Sequence, residues 1–340
     1  MKTSKLKKNS KYKWLKILVG LAITVLALWL SFRKLDWEVL KETFFRVNFL
    51  WVILALANTI LIVFALGWRW QILLKPKEKI PLSSLFRLNI ISQYVNIIIP
   101  GRFGEVSRAY LASKQYRVSG AYVIGTIAIE KILDFLVFVI LWISIPALFA
   151  MQKEVRGYKI ALLIFILATF FLVLFIWQPK AVLKGASLFS RLLPGKLKKG
   201  FQDFLGKGME AFGLLISTKI LLFVVVLTFG FIAGQVLTNY FLFRAFHLNL
   251  SFWVGLFLLL AIQVANMPPS VPGKIGVFEY AVILALSLFG ISKGLALSYG
   301  IMLHLVAFVP KILLGLIFLP SVDLSLRKNR KAQIEANIVS

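Results

Sequence analysis

The stretch VNFLWVILALANTILIVFALGW (Val47–Trp68) decides the fold class, because its 22 residues carry no charged side chain. A helix of about 20 apolar residues crosses the roughly 30 Å hydrocarbon core of a bilayer. Comparable apolar runs occur at residues 17–32, residues 160–178, Ile220–Phe243 and Leu295–Leu319. We therefore predict an all-α polytopic membrane protein with about eight hydrophobic segments.

The composition of the whole chain supports this class. Hydrophobic residues make up 60% of the 340 residues and charged residues only 16%, against about 25% charged residues in a typical soluble domain. The formal net charge is +27. A strongly positive charge is also found in nucleic-acid-binding proteins. Here, however, most of the bases lie in short segments between apolar runs, which is typical of cytoplasmic loops that face anionic lipid. We expect membrane lipids as partners and no nucleic acid.

The sequence offers few ligands for metal or redox chemistry. The chain has no Cys, and its two His residues, His247 and His304, are far apart in sequence. A zinc site needs three or four such ligands close together. No Walker A or GxGxxG motif occurs either, so ATP-driven transport is not encoded. We predict no metal, no cofactor and no catalytic residue, and we expect His304 to form an interhelical hydrogen bond.

Charge also predicts the domain organisation. Residues 1–16 form a basic N-terminus, residues 17–319 a transmembrane domain, and residues 320–340 a basic tail. Within the domain, residues 178–219 form a polar loop with an amphipathic helix at the membrane surface. Its apolar positions recur at helical spacing: Phe201, Phe204, Leu205, Met209, Phe212 and Leu215. The positive-inside rule places both termini and this loop in the cytoplasm.

Two short apolar segments, residues 88–101 and 252–290, are each interrupted by a similar motif. The first motif is NIIIPGRFGE (Asn96–Glu105), and the second is NMPPSVPGKIGVFE (Asn266–Glu279). Each contains Asn, then Pro-Gly, a base, an apolar residue, Gly and Glu. We predict two re-entrant broken-helix hairpins that enter from opposite sides, which is the layout of an inverted repeat around a transport site.

The interrupted tips have a definite chemistry. The structural turns are assigned to Pro100, Gly101, Pro272 and Gly273. Broken helices expose backbone N–H groups and a positive dipole end, and Arg102 and Lys274 add full positive charges. This combination suits an anionic lipid headgroup. The alternative for Arg102 is a side chain that snorkels to the cytoplasmic interface without contacting substrate.

Acidic residues near these tips complete the candidate site. Glu105 and Arg108 lie three residues apart on one helix and can pair locally. Glu130 and Asp134, with Lys131 beside Glu130, lie inside an apolar helix, where charges are costly. One hypothesis is that these residues line the substrate path and supply a carboxylate for proton coupling. The alternative is that the acids form a structural ion pair with Arg102 or Arg108. Glu279 follows the second tip and is a further candidate.

The segments Pro100–Gln115, Thr126–Phe135 and Pro268–Ser292 resemble the transmembrane region of bacterial lysylphosphatidylglycerol synthases. The resemblance covers residues 10–320 and implies a lipid flippase-like domain in a bacterial inner membrane. In the full-length synthases, lysine transfer belongs to a soluble C-terminal domain, which we do not expect here. The resemblance implies substrate-path roles for Arg102, Glu105, Arg108, Glu130, Lys274 and Glu279.

Three functions follow as hypotheses. The first is a flippase or transporter for an anionic phospholipid, including an aminoacylated one, or for a glycolipid. The second is a membrane-embedded lipid headgroup transferase that resembles phosphatidylglycerol lysyltransferase. The third is a scaffold for a separate soluble enzyme, which would bind the basic cytoplasmic face near Lys198 and Lys199.

Overall fold

The computed structural model describes residues 25–31, 33, 38, 42–44, 46–99, 103–148, 167, 195–266 and 271–339. Several predictions fall outside the described residues. These are the basic N-terminus 1–16, almost all of the predicted span 160–178, the first part of the polar loop 178–219, the predicted turn residues Pro100 and Gly101, and the predicted headgroup-binding residue Arg102.

The described part of the chain is helical and contains no β-strand, which confirms the all-α class. The main helices are α1 Phe49–Leu74, α2 Leu82–Ile98, α3 Gly104–Gln115, α4 Gly120–Leu148, α5 Gly195–Phe212, α6 Thr218–Ala245, α7 Phe252–Ala265, α8 Val277–Ser287 and α9 Lys293–Val339. Two short 3-10 turns, Gly213–Ile216 and Pro272–Lys274, lie between them.

Three of the described helical segments are long and apolar enough to cross a membrane. They are α1, α6 and the Lys293–Ser321 part of α9, which confirms that this is a membrane protein. Helix α1 continues six residues beyond the apolar run that ends at Trp68. Arg69, the first residue after that run, is therefore part of a helix, and only 2% of its surface is exposed.

The chain divides into two compact units. The first unit comprises Met1–Ile62, Gln93–Phe103 and Ala233–Leu314, and the second comprises Val63–Ser92, Gly104–Ile232 and Gly315–Ser340. In the first unit, α7 packs against α8, and the buried Tyr299 stacks on Phe243 with ring centroids 5.3 Å apart. In the second unit, a continuous apolar core surrounds the fully buried Trp70.

Both predicted motifs interrupt a helix. Helix α2 ends at Ile98 and α3 begins at Gly104, while α7 ends at Ala265 and α8 begins at Val277. The second interruption contains left-handed backbone, with φ angles of 72° at Gly273 and 84° at Gly276. Glycine adopts such angles without steric cost, so the Pro-Gly-Lys-Ile-Gly sequence makes this turn rather than a continuous helix.

The segment predicted to form an amphipathic helix contains α5, and α4 covers part of the apolar face of that helix; its position at the membrane surface stays a prediction. Met209, Phe212 and Leu215 are buried in the core of the second unit, whereas Phe204 is exposed. The contact is close because two glycines take part in it. A Cβ atom on Gly125 would lie 2.3 Å from the carbonyl oxygen of Gly208, too close for any real contact.

We expect Gly125→Ala to destabilise the protein by about 1–3 kcal/mol, because the added methyl group must push α4 and α5 apart. The measurement is the thermal unfolding midpoint of the purified protein in detergent, followed by tryptophan fluorescence. Gly206→Ala on α5 is the matched control, since a Cβ there meets no atom within 4 Å. An unchanged midpoint in Gly125→Ala would contradict the described packing of α4 on α5.

Candidate functional site

A buried cluster of charged residues lies in the second unit, centred on Glu130 of α4. One carboxylate oxygen of Glu130 lies 2.6 Å from Nη2 of Arg108, and the other lies 3.5 Å from Nε of Arg69. Asp134, one helical turn further along α4, accepts a 2.6 Å hydrogen bond from Nη1 of Arg69. Two guanidinium groups therefore face two carboxylates, and the formal charge of this cluster is zero.

Neutral groups hold the two arginines in place. Arg69 donates to the hydroxyl of Thr228 at 2.9 Å, and Arg108 donates to the side-chain oxygen of Asn89 at 2.6 Å. The Arg108 guanidinium also lies 4.3 Å from the centre of the Trp70 ring. The cluster ties together the parts of α1, α2, α3, α4 and α6 that belong to the second unit.

This geometry fits the structural alternative for the acids of α4. The sequence predicted a partner for them in Arg102 or Arg108, and the structure pairs Arg108 with Glu130. Arg69 was missed as the second cation, because hydropathy alone placed it just outside the membrane. The sequence feature that could have identified it is its position directly after Trp68, within one helical turn of the apolar run. Substrate-path roles for Arg108, Glu130 and Asp134 stay predictions.

Two further charges lie beside this cluster. The carboxylate of Glu105 on α3 lies 3.4 Å from the ammonium of Lys131 on α4. Glu105 belongs to the first motif, and it follows the turn residues that lie outside the described part of the chain. This ion pair is partly exposed to solvent, so it contributes little to stability.

A cavity of about 490 Å³ lies in the first unit. Its lining combines the end of α2, the turn before α8, Glu279 of α8 and one face of α9. The residues are Ile97, Ile98, Pro272, Gly273, Ile275, Glu279, Ile301, His304, Leu305, Phe308, Val309 and Ile312. Among the described lining residues, the side chains are apolar except for Glu279 and His304.

The cavity brings the two sequence motifs together. Ile97 and Ile98 belong to the first motif, and the segment from Pro272 to Glu279 belongs to the second. The sequence predicted that both motifs surround one transport site. Among the described residues, the structure places parts of both motifs on the same cavity. Of the predicted site residues, Pro272, Gly273 and Glu279 contribute to its lining.

Glu279 makes two directed contacts inside this cavity. One carboxylate oxygen accepts a 2.6 Å hydrogen bond from the backbone N–H of Gly276, which caps the N-terminus of α8. The other lies 2.5 Å from Nδ1 of His304 on α9. The His304 ring packs between Phe278 and Phe308, with centroid distances of 4.8 and 4.3 Å. His304 thus forms the interhelical contact expected for it.

Lys274 lies in the turn itself, immediately after Gly273. Its φ angle is 60°, a conformation that residues with a Cβ rarely adopt. A strained residue of this kind persists only where the surrounding structure holds it, and such residues concentrate at functional sites. The turn therefore presents a positively charged side chain on a constrained backbone beside the cavity-lining residues Pro272 and Gly273.

Comparisons with known proteins agree with the sequence motifs. A family model described as the lysylphosphatidylglycerol synthase TM region matches residues 17–315. The UPF0104 membrane protein MJ1078 of Methanocaldococcus jannaschii is 31% identical over 70% of this chain and 98% of its own length. The UPF0104 membrane protein PH1989 of Pyrococcus horikoshii is 23% identical over 96% of this chain and 99% of its own length. No solved structure matches the chain.

We expect Arg69→Met to destabilise the protein by about 3–5 kcal/mol, because it leaves the carboxylates of Glu130 and Asp134 short of a buried positive charge. The measurement is chemical or thermal unfolding in detergent. The control is Lys77→Gln, which removes a half-exposed ion pair with Glu210 and should cost less than about 1 kcal/mol. Equal effects of the two substitutions would contradict a structural role for the cluster.

Proposed function

Because the chain belongs to the lysylphosphatidylglycerol synthase transmembrane region family, we propose that it is a lipid transporter that moves an anionic phospholipid or glycolipid between the leaflets. The observation that carries this proposal is the cavity on which both interrupted motifs meet. Interrupted helices within a membrane domain mark substrate sites, because irregular backbone is tolerated there only in protein or beside water.

The lining of the cavity supports a lipid rather than a small polar solute. Its isoleucine, leucine and phenylalanine side chains match the acyl part of a lipid, and among the described lining residues only Glu279 and His304 have polar side chains. Pockets that bind amphipathic ligands combine such apolar walls with a few placed polar groups. Lys274, and in the sequence Arg102, supply positive charge next to the same motifs for a phosphate group.

The acidic residue in the cavity, Glu279, favours a lipid headgroup that carries a positive charge. A carboxylate repels a simple anion but attracts an ammonium group, and Glu279 has both oxygens placed by Gly276 and His304. An aminoacylated phospholipid carries both an ammonium group and a phosphate. This lipid class satisfies the acid and the nearby bases together, so we include it among the substrates that we propose.

Orientation and location are part of the proposal. Both termini, residues 1–16 and 320–340, are basic, and basic segments of membrane proteins favour the cytoplasmic side. We therefore propose that both termini lie in the cytoplasm. We propose the bacterial inner membrane as the location, and the archaeal relatives show that membranes outside bacteria contain proteins of this kind.

A substitution that fills the cavity should block transport. In liposomes that contain the purified protein, we expect Leu305→Trp to slow the movement of fluorescent phosphatidylglycerol between leaflets by about tenfold or more, because the indole occupies the lipid's place. Leu313→Trp on the same helix is the control. Both leucines are about half-exposed, at 46% and 55%, but only Leu305 lines the cavity. Equal rates in the two variants would overturn this assignment of the transport site.

Removal of the cavity's acid should also impair transport. We expect Glu279→Ala to abolish the protein-dependent part of lipid movement, because it removes both the cap of α8 and the partner of His304. Circular dichroism and size-exclusion chromatography show whether the variant remains folded. Glu279→Gln keeps an acceptor oxygen for the Gly276 N–H group and separates loss of the cap from loss of charge.

The transferase alternative is tested on the same protein preparation. Incubation with radiolabelled lysyl-tRNA and phosphatidylglycerol should give no lysylated lipid. Formation of that product without any protein-dependent lipid movement would replace the transporter proposal with the transferase one.

A further inference from the structure

A second concave site lies in the first unit, away from both sequence motifs. It encloses about 370 Å³ and is lined by Asn48, Trp51, Arg244, His247, Leu248 and Asn249. These residues come from the start of α1 and from the segment that follows the end of α6. None of them belongs to the proposed transport cavity.

The described residues that line this pocket contribute one guanidinium, one imidazole and two carboxamides, and none of them is acidic. No carboxylate of the described residues pairs with Arg244, whose contact is with the Trp51 ring at 6.0 Å. By contrast, Arg69 and Arg108 each pair with an acid. Within the described part of the chain, the positive charge of Arg244 therefore has no carboxylate that competes with an anionic ligand.

Backbone hydrogen bonds fix the shape of the pocket. The N–H group of Asn48 donates to the carbonyl oxygen of Ala245 at 3.0 Å, which joins the start of α1 to the end of α6. The side-chain oxygen of Asn48 accepts from the N–H group of Leu50 at 3.1 Å and caps α1. The Nε2 atom of His247 lies 3.3 Å from the carbonyl oxygen of Arg46. The polar groups are thus held before a ligand binds.

The position of the pocket indicates the source of the anion. It lies where α1 begins and α6 ends, and both helices are long and apolar enough to span a membrane. The ends of spanning helices lie at the membrane surface, where tryptophan is enriched and lipid phosphates are found. An arginine binds a phosphate with two parallel hydrogen bonds, and amide side chains add further donors.

We propose that this pocket binds the phosphate group of an anionic phospholipid at the membrane surface. The inference does not depend on lipid transport, because it concerns residues outside the proposed transport cavity. The pocket would bind lipid in the same way if this chain served only as a scaffold for a soluble enzyme.

The test counts bound lipid by native mass spectrometry after the purified protein is mixed with phosphatidylglycerol in detergent. We expect one retained phosphatidylglycerol in the wild-type protein and about tenfold weaker retention in Arg244→Gln, because a charge-assisted phosphate contact is lost. Arg117→Gln is the matched control, since Arg117 is exposed and lies outside the pocket. Arg244→Lys keeps the charge without the planar fork and should retain an intermediate amount.

Two competing ligands identify the group that the pocket recognises. Diacylglycerol, which lacks the phosphate, should not be retained, and excess inorganic phosphate should not displace the lipid. Equal retention of diacylglycerol would overturn phosphate recognition, and displacement by inorganic phosphate would overturn the lipid as its source.

Arg244 also lies in the last turn of α6, where a cation stabilises the helix dipole. The unfolding temperature of Arg244→Gln, measured beside its lipid retention, separates this structural role from phosphate binding. If Arg244→Gln lowered the unfolding temperature but retained phosphatidylglycerol as the wild type does, Arg244 would have only a structural role and the proposal would be overturned.

His247→Asn is a second variant for the case in which Arg244→Gln does not fold. His247 has a φ angle of 55°, and Asn tolerates this left-handed conformation well. The substitution removes the imidazole and keeps the backbone. We expect weaker phosphatidylglycerol retention than in the wild type, and unchanged retention would contradict the proposal.

Discussion

A charged side chain buried in an apolar helical protein must have a partner of opposite charge or a set of hydrogen-bond donors. The cost of an unpartnered buried charge is several kcal/mol, which is a large part of the stability of a whole domain. In this protein, Arg69, Arg108 and Glu130 are almost completely buried, and each contacts an opposite charge. The second unit is arranged around that requirement, because its helices supply the partners from separate parts of the chain.

The same requirement operates differently in the first unit. Among the described residues, no arginine contacts Glu279; its oxygens are held by a backbone N–H group and an imidazole. The N–H group exists as a free donor only because the helix is interrupted at Gly276, so the interruption and the acid depend on each other. This carboxylate faces a cavity. Such a group is suited to interact with a ligand.

The sequence predicted those features that follow from local pattern. The charge-free run of α1 identified the membrane class, and the Pro-Gly motifs identified where helices end, because proline and glycine act on the backbone at their own positions. The acids of α4 were predicted to need a cation, and Arg108 is one. Two contacts were not predicted: that of Arg69 with Glu130, and that of Glu279 with His304. They join residues 61 and 25 positions apart, and no local pattern specifies which distant residues meet.

The two acidic sites therefore differ in how the charge of their carboxylates is compensated. In the cluster around Glu130, each carboxylate contacts an arginine, and the arginines are further held by Thr228 and Asn89, so the charges are compensated within the protein. A ligand that displaced them would have to replace several buried charge-assisted contacts at once. At Glu279 the adjoining space is open, and the carboxylate contacts one backbone N–H group and one imidazole rather than two guanidinium groups. Glu279 thus faces open space, whereas Glu130 and Asp134 are held by buried arginines.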